Sequence, residues 1–158
     1  MNKSTIPALQ KAALGMLLDD HRNAKKLFKQ FKEAESDAEK EEIAQTVCKE
    51  LTVHATLEEE IFYPLVRREG GKAFADLLDE AVVEHASAKD LIAQVQSMRP
   101  SDEMYDAKVT VLCEYVTHHV KEEEEEMFPK VVSKKIDLRE AAEMMAARKE
   151  ELMGTVAA

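Results

Sequence analysis

Hydrophobic residues recur at steps of three and four along most of the chain, which is the spacing of amphipathic helices. Turn signals interrupt this pattern at Glu35-Ser36, at Gly70-Gly71 and at Arg99–Asp102, where Ser101 or Asp102 could cap the next helix. Four long helices joined by short connections predict an all-α fold, an antiparallel up-down-up-down four-helix bundle with a short C-terminal fifth helix. We expect one domain over residues 1–158, with helices at about 5–34, 37–68, 71–98, 102–133 and 137–153.

Each of the four long apolar seams is interrupted by histidine at one place. In the second and fourth helices a glutamate follows that histidine four residues later, on the same helical face. A buried carboxylate without a partner is costly, so it must be protonated, paired or bound to metal, and no Lys or Arg lies on these seams. The interruptions therefore predict a metal site with these candidate ligands: His21, His54, Glu58, His85, His119 and Glu123.

The distance of each histidine from the helix ends tests whether these residues can meet. Each lies about 15 to 18 residues from its neighbouring turns, which is roughly 23 to 27 Å along a helix. In an antiparallel bundle, equal depths place all four imidazoles in one cross-sectional layer. The two glutamates then lie one helical turn away from that layer.

The types of ligand narrow the choice of metal. Imidazole with carboxylate suits iron, manganese or zinc, and the lack of cysteine in the set disfavours a structural zinc site. Two carboxylates that bridge fit a pair of ions about 3.5–4 Å apart. Six such side chains leave coordination positions open for O2, peroxide, NO or water, which favours a redox-active pair of iron ions.

Composition and charge exclude several other classes of function. The net charge of −10 opposes phosphate contacts with nucleic acid or anionic lipid. No apolar run approaches the roughly 20 residues of a membrane span, and the first residues lack the apolar stretch of a signal peptide. We therefore expect a cytoplasmic protein without nucleic-acid or membrane partners. Cys48 and Cys113 are interpreted as free thiols.

Two matching segments carry a family resemblance. One runs from His54 to Pro64 and the other from His119 to Pro129, and both place Glu four residues after His and Pro six residues after Glu. Together with His21 and His85 on the other two helices, they resemble the haemerythrin family, specifically the bacterial HHE cation-binding domains. The resemblance implies the six ligands named above and two iron ions joined by an oxo or hydroxo bridge, with manganese or zinc less favoured.

One position departs from the oxygen-carrying members of that family. Those proteins have a further histidine four residues after the third-helix one, and Lys89 stands there in this chain. The resemblance then implies that one iron is more open or is bound by water or another residue. This argues against reversible oxygen carriage and favours sensing, scavenging or peroxide turnover.

Several functions follow as hypotheses. The first is a non-haem di-iron protein that binds or reacts with O2, peroxide or NO as a sensor or scavenger. The alternatives are iron handling by ferroxidation or transient binding, a peroxidase-like or catalase-like enzyme, and a metal-free helical interaction module. The expected partner is a small diatomic or peroxide ligand, and the chain is expected to be a monomer or a homodimer.

Other polar residues near the seams are interpreted as structural or solvated. Tyr63 and Tyr115 could reach the site, but packing on the helices is the preferred interpretation. Asp20 and Glu84 each precede a candidate ligand, where they could orient an imidazole only through a neighbouring helix, and they are interpreted as solvated. His118 is expected on the surface, and so is the acidic run 122–126 apart from its proposed ligand.

Overall fold

The computed structural model describes residues 1–157, with side chains described for residues 1–154. In this part of the chain it has five main helices and two short 3-10 helices, Lys3–Thr5 and Gly71–Phe74. The second and fourth are each continuous through three segments, the middle one being a π-helical turn. Their bounds are α1 Ala8–Glu33, α2 Asp37–Leu57 with Glu58–Phe62 and Tyr63–Gly70, α3 Ala75–Gln96, α4 Tyr105–Glu122 with Glu123–Met127 and Phe128–Ser133, and α5 Arg139–Ala157.

The fold is an antiparallel up-down-up-down four-helix bundle, with α5 as an added C-terminal helix that packs across α1 and α2. Within the bundle, α1 packs chiefly against α2, and α3 against α4. No strand occurs within residues 1–157. None of the helices in this part of the chain is both long and apolar enough to cross a membrane.

Helix ends depart from the predicted bounds by a few residues, for local reasons. The α4 helix begins at Tyr105 and not near residue 102, because Asp102 accepts a hydrogen bond from the backbone N–H of Arg99 at 2.8 Å and so stabilises the turn. Met104 then adopts a left-handed backbone conformation (φ 71°), which ends that turn. The first helix starts at Ala8, after Pro7, and α5 runs from Arg139 to Ala157.

Each π turn begins at a predicted ligand and ends just before a proline. In α2 the N–H of Tyr63 donates to the carbonyl of Glu58, five residues earlier, and Pro64 follows at once. In α4 the N–H of Phe128 donates to the carbonyl of Glu123 in the same way, and Pro129 follows. A proline has no N–H to donate and its ring crowds the preceding turn, so a widened turn accommodates it within a continuous helix.

The π turn in α2 shifts the buried seam by one residue beyond Glu58. The α-helical period predicts Ile61 and Leu65 in the core, but both are only half-buried. Phe62 and Val66 are buried in their place, each with 0% exposure. One extra residue in the turn rotates everything that follows by about 100°, so Ile61 and Leu65 pack at the edge of the core while Phe62 and Val66 occupy its interior.

The core consists of two apolar clusters on either side of the histidine layer. One cluster contains the ring side chains of Phe62, Phe74 and Phe128 and receives Leu138 from the segment before α5. The other contains Phe28 and its neighbours, near the opposite end of the bundle. Packing from all four long helices therefore supports the polar layer from both sides.

A pair of matched substitutions on α3 tests this packing. Val95 is fully buried, whereas Val83 is 67% exposed on the same helix. Val95→Ala should lower the free energy of unfolding by about 1–2 kcal/mol, because it removes two buried methyl groups at roughly 0.8 kcal/mol each. Val83→Ala should leave stability unchanged or raise it slightly, because alanine is the better helix former. Urea unfolding measures both; equal effects would contradict the assigned packing.

Candidate metal centre

The structure brings all six sequence-predicted side chains together inside the bundle. His21 Nε2 lies 3.0 Å from Glu123 Oε1, and His85 Nε2 lies 3.1 Å from Glu58 Oε1. His54 Nε2 lies 3.4 Å from the same Glu58 oxygen. The predicted depth argument thus gives the observed juxtaposition, with both glutamates fully buried between the imidazoles.

The ligand atoms form two groups that share one glutamate. The first group is His21, His54, Glu58 and Glu123, and the second is His85 and His119 with the same Glu58. Glu123 also reaches towards the second group, since its Oε2 lies 3.5 Å from His119 Nε2. Both carboxylates are therefore positioned between the two pairs of imidazoles.

Tyr63 reaches the centre of the site, so its interpretation as a packing residue was wrong. Its hydroxyl donates to Glu123 Oε2 at 2.7 Å and lies 3.2 Å from Glu58 Oε1. It also lies 3.1 Å from His119 Nε2 and 3.4 Å from His85 Nε2. The π turn causes this placement, because in a regular α-helix a residue five positions after Glu58 would face away from it.

Four further carboxylates surround the site and orient its imidazoles. In each case the histidine Nδ1–H donates to a carboxylate on another helix, and that carboxylate is adjacent in sequence to a predicted ligand. The sequence of contacts runs around the bundle as a ring. Its members are Asp20 of α1 with His54 at 2.9 Å, Glu59 of α2 with His85 at 2.9 Å, Glu84 of α3 with His119 at 3.0 Å and Glu124 of α4 with His21 at 2.9 Å.

These four carboxylates, the carboxylate ring, determine which nitrogen of each imidazole carries the proton. A carboxylate can only accept a hydrogen bond, so the proton of each neutral ring must sit on Nδ1. The lone pair of Nε2 is then free and points into the site, which is the arrangement that metal-binding histidines use. The interpretation of Asp20 and Glu84 as solvated was therefore wrong, as it was for Glu124 within the acidic run.

Most ring carboxylates also hold a cation on their second oxygen. Lys149 of α5 lies 2.7 Å from Asp20, and Lys89 lies 2.7 Å from Glu59. The terminal amino group of Met1 lies 2.8 Å from Glu124. These cations offset the charge of the ring, and they fix its carboxylates in place through ion pairs from outside.

The pKa values of two inner side chains show that the site favours positive charge. Burial by itself would lower the pKa of His54, but the negative charge of Glu58 and the hydrogen bonds that His54 donates to Asp20 and Glu58 raise it to about 10. Burial would raise the pKa of Glu58, but the charge of His54 and hydrogen bonds with its neighbours hold it well below its usual range. Glu58 thus stays ionised and attracts cations.

Two observations indicate that these ligand atoms fit a pair of metal ions. Ligands in adjacent octahedral positions, each about 2.1 Å from an ion, lie about 3 Å apart. The separations of 3.0 Å for His21 and Glu123 and of 3.1 Å for the Nε2 atoms of His85 and His119 match this spacing. In addition, Glu58 Oε2 is buried and has no hydrogen-bond partner among the described residues, so it remains available to a cation.

A cavity of about 110 Å³ adjoins the histidine layer. Its wall is largely apolar where it meets the bundle interior, with Ala24, Leu51 and Ile92 among the lining side chains. Tyr115 also lines the cavity but is 46% exposed and makes no hydrogen bond to a predicted ligand. Space of this size next to the ligands accommodates a diatomic molecule or a peroxide.

Some signals for the missed residues were present in the sequence. Asp20, Glu59, Glu84 and Glu124 are each adjacent to a predicted ligand, so each side chain emerges about 100° around its helix, towards a neighbour. The repeated proline six residues after each ligand glutamate marked the two π turns.

Comparison with known proteins gives the family. The profile of the Hemerythrin HHE cation binding domain matches residues 12–131. The chain therefore belongs to the haemerythrin family of HHE cation-binding domain proteins, in agreement with the resemblance found in its sequence. Membership of this family, together with the buried His and Glu cluster, assigns it a cation-binding His/Glu site.

A solved structure and a curated relative resemble parts of the chain. The crystal structure of a hemerythrin HHE cation binding domain-containing protein from Mycobacterium kansasii, an Rv2633c homolog, is 25% identical and superimposes with a TM-score of 0.73, covering 90% of this chain and 88% of its own. A DNA nickase from Nostoc sp. (strain PCC 7120 / SAG 25.82 / UTEX 2576) is 30% identical over 109 residues. That match covers 69% of this chain but only 30% of the nickase.

Adjacent aspartates on α1 test the carboxylate ring. Asp20→Asn should weaken metal binding by roughly tenfold to a hundredfold, because it removes the charged acceptor that orients His54. Asp19→Asn is the matched control, since Asp19 is an exposed residue that pairs with Lys3. Competition with a chromophoric chelator measures both affinities. Equal affinities in the two variants would show that the ring does not support the site.

Proposed function

We propose that this protein is a non-haem di-iron protein that binds and reacts with a small oxygen-derived ligand, with hydrogen peroxide as the foremost candidate and O2 and NO as others. The observation that carries the proposal is the set of four inward Nε2 atoms arranged around two buried carboxylates. Imidazole and carboxylate together are ligands that suit iron in redox-active pairs.

Each of the two ions would be bound by its own pair of histidines. His21 and His54 would bind one ion, His85 and His119 would bind the other, and Glu58 and Glu123 would bridge them. Iron held by these residues would supply redox chemistry towards an oxygen-derived ligand. The ring carboxylates would keep each Nε2 lone pair aimed inward during this chemistry.

The position of Tyr63 favours a reaction of the small ligand over its simple binding. Its hydroxyl is a protic group at the edge of the second half-site, within 3.4 Å of two imidazoles and two carboxylates. It can therefore donate a proton to a ligand held there, or serve as a further ligand to the second ion. Either role addresses the position left open by the absent third-helix histidine.

The position of Lys89 also favours a reactive or sensing site over an oxygen carrier. Its ammonium pairs with Glu59, on the outside of the His85 imidazole, and is half exposed. It therefore serves the carboxylate ring and does not close the second half-site. An iron ion that is not enclosed by a sixth protein ligand suits peroxide turnover or sensing better than reversible oxygen carriage.

Two other functions have weaker support. Iron handling requires ions to move in and out, whereas Glu58 and Glu123 are fully buried and hydrogen-bonded to their neighbours. The second function is DNA nicking, which the name of one relative suggests. That relative is much longer than the region matched by this chain. The net charge of −10 opposes contacts with phosphate, so we propose a small-molecule partner and no nucleic acid.

Substitution of a bridging glutamate tests the site. Glu58→Ala should abolish binding of the ion pair, because both half-sites share this carboxylate. Glu60→Ala on the same π turn is the control, since Glu60 pairs with Arg148 on the surface. Metal analysis of protein purified after iron-replete expression should give about two irons per chain for the parent and the control. Two irons in Glu58→Ala would contradict the assignment.

Tyr63→Phe tests how the site reacts. Iron content should remain, because the six other side chains are unchanged, and the rate of peroxide consumption should fall by roughly a hundredfold if the phenol donates a proton. Loss of a visible phenolate-to-iron absorption band would instead identify Tyr63 as a ligand. Unchanged turnover together with an unchanged spectrum would contradict both roles.

A further inference from the structure

One member of the carboxylate ring differs from the other three in its outer partner. Asp20, Glu59 and Glu124 each hold an ammonium group at 2.7 to 2.8 Å on the oxygen that faces away from the site. Among the side chains that the structure describes, Glu84 has no such ammonium group. Its Oε1 accepts from His119 Nδ1, and its Oε2 lies 3.3 Å from Nε2 of His118.

His118 lies between two carboxylates. On its own helix, one turn later, Glu122 Oε1 is 3.1 Å from the same Nε2 atom. Within residues 1–154 the structure pairs neither Glu84 nor Glu122 with a lysine or an arginine, so the two carboxylates share one imidazole.

The geometry points to a divalent metal ion at this place. We infer that Glu84 Oε2, His118 Nε2 and Glu122 Oε1 form a second cation site, at the bundle surface and separate from the inner pair. One ligand atom from each of the three side chains lies within 4.8 Å of those of the other two, and the two His–Glu separations of 3.1 and 3.3 Å match neighbouring ligands around an ion.

The cation would supply for Glu84 what an ammonium group supplies for the other ring carboxylates. It would fix the Glu84 carboxylate against His119, one of the predicted inner ligands. The side chains of Glu84 and Glu122 are 25% and 29% exposed and that of His118 is 64% exposed, so an ion could enter from solvent and complete its shell with water. Imidazole with two carboxylates selects a first-row divalent ion such as Zn²⁺, Mn²⁺ or Fe²⁺.

The experiment is a calorimetric titration with Zn²⁺ of the protein carrying its purified metal content, after loosely bound metal has been removed. The parent should bind one additional Zn²⁺ per chain while the absorption of the inner centre stays constant. His118→Ala and Glu122→Gln should each lose this ion. Glu125→Gln is the matched control in the same acidic run, because Glu125 is exposed and lies outside the proposed site; it should keep the ion.

The result that overturns the inference is equal Zn²⁺ binding by His118→Ala and the parent, which would leave His118 as a surface imidazole between two carboxylates. Glu58→Gln separates this proposal from the function proposed above. That variant should lose the inner ions and retain the surface ion. If it loses the additional Zn²⁺ as well, the ion belonged to the inner centre and the surface site is wrong.

Discussion

Two carboxylates buried at the centre of a helical bundle are the constraint on which the rest of this structure depends. Glu58 and Glu123 are fully buried, and the free energy of burying a charge is recovered only through opposite charge or several hydrogen bonds. Four imidazoles provide the first compensation. The carboxylate ring orients those imidazoles, and cations from Lys89, Lys149 and the amino terminus hold the ring in turn.

This arrangement explains why helices distant in sequence meet at one level. Each ring contact joins two helices, so the contacts tie α1 to α2, α2 to α3, α3 to α4 and α4 back to α1. The fifth helix joins the same system through Lys149, which pairs with Asp20, and through Met153, which lines the cavity beside the site. The site and the bundle therefore stabilise each other.

Much of the fold and the inner set of six side chains could be predicted from the sequence. The seams repeat at α-helical spacing, and helix rise fixes depth, so His21, His54, His85 and His119 could be placed in one layer by counting. The residues beyond Glu58 and Glu123 could not be placed in this way. A π turn breaks the period that the counting assumes, and this is why packing was the preferred interpretation of Tyr63 and why Phe62 and Val66 are the fully buried residues beyond Glu58.

The ring carboxylates were missed for a different physical reason. Asp20 and Glu84 are polar and lie off the apolar seams, so helical periodicity alone assigns them to solvent. Their role depends on the angle between neighbouring helices, which local spacing does not determine. Adjacency to a predicted ligand was the signal that the sequence offered for these carboxylates, and it does not by itself separate an orienting carboxylate from a solvated one.

The most direct test of the account is the position of metal in the iron-loaded protein, measured by anomalous scattering from its crystals at the iron absorption edge. The account predicts two peaks inside the bundle, about 3.5–4 Å apart, one beside His21 and His54 and the other beside His85 and His119, with Glu58 and Glu123 between them. A single peak, or peaks outside this set of side chains, would contradict it.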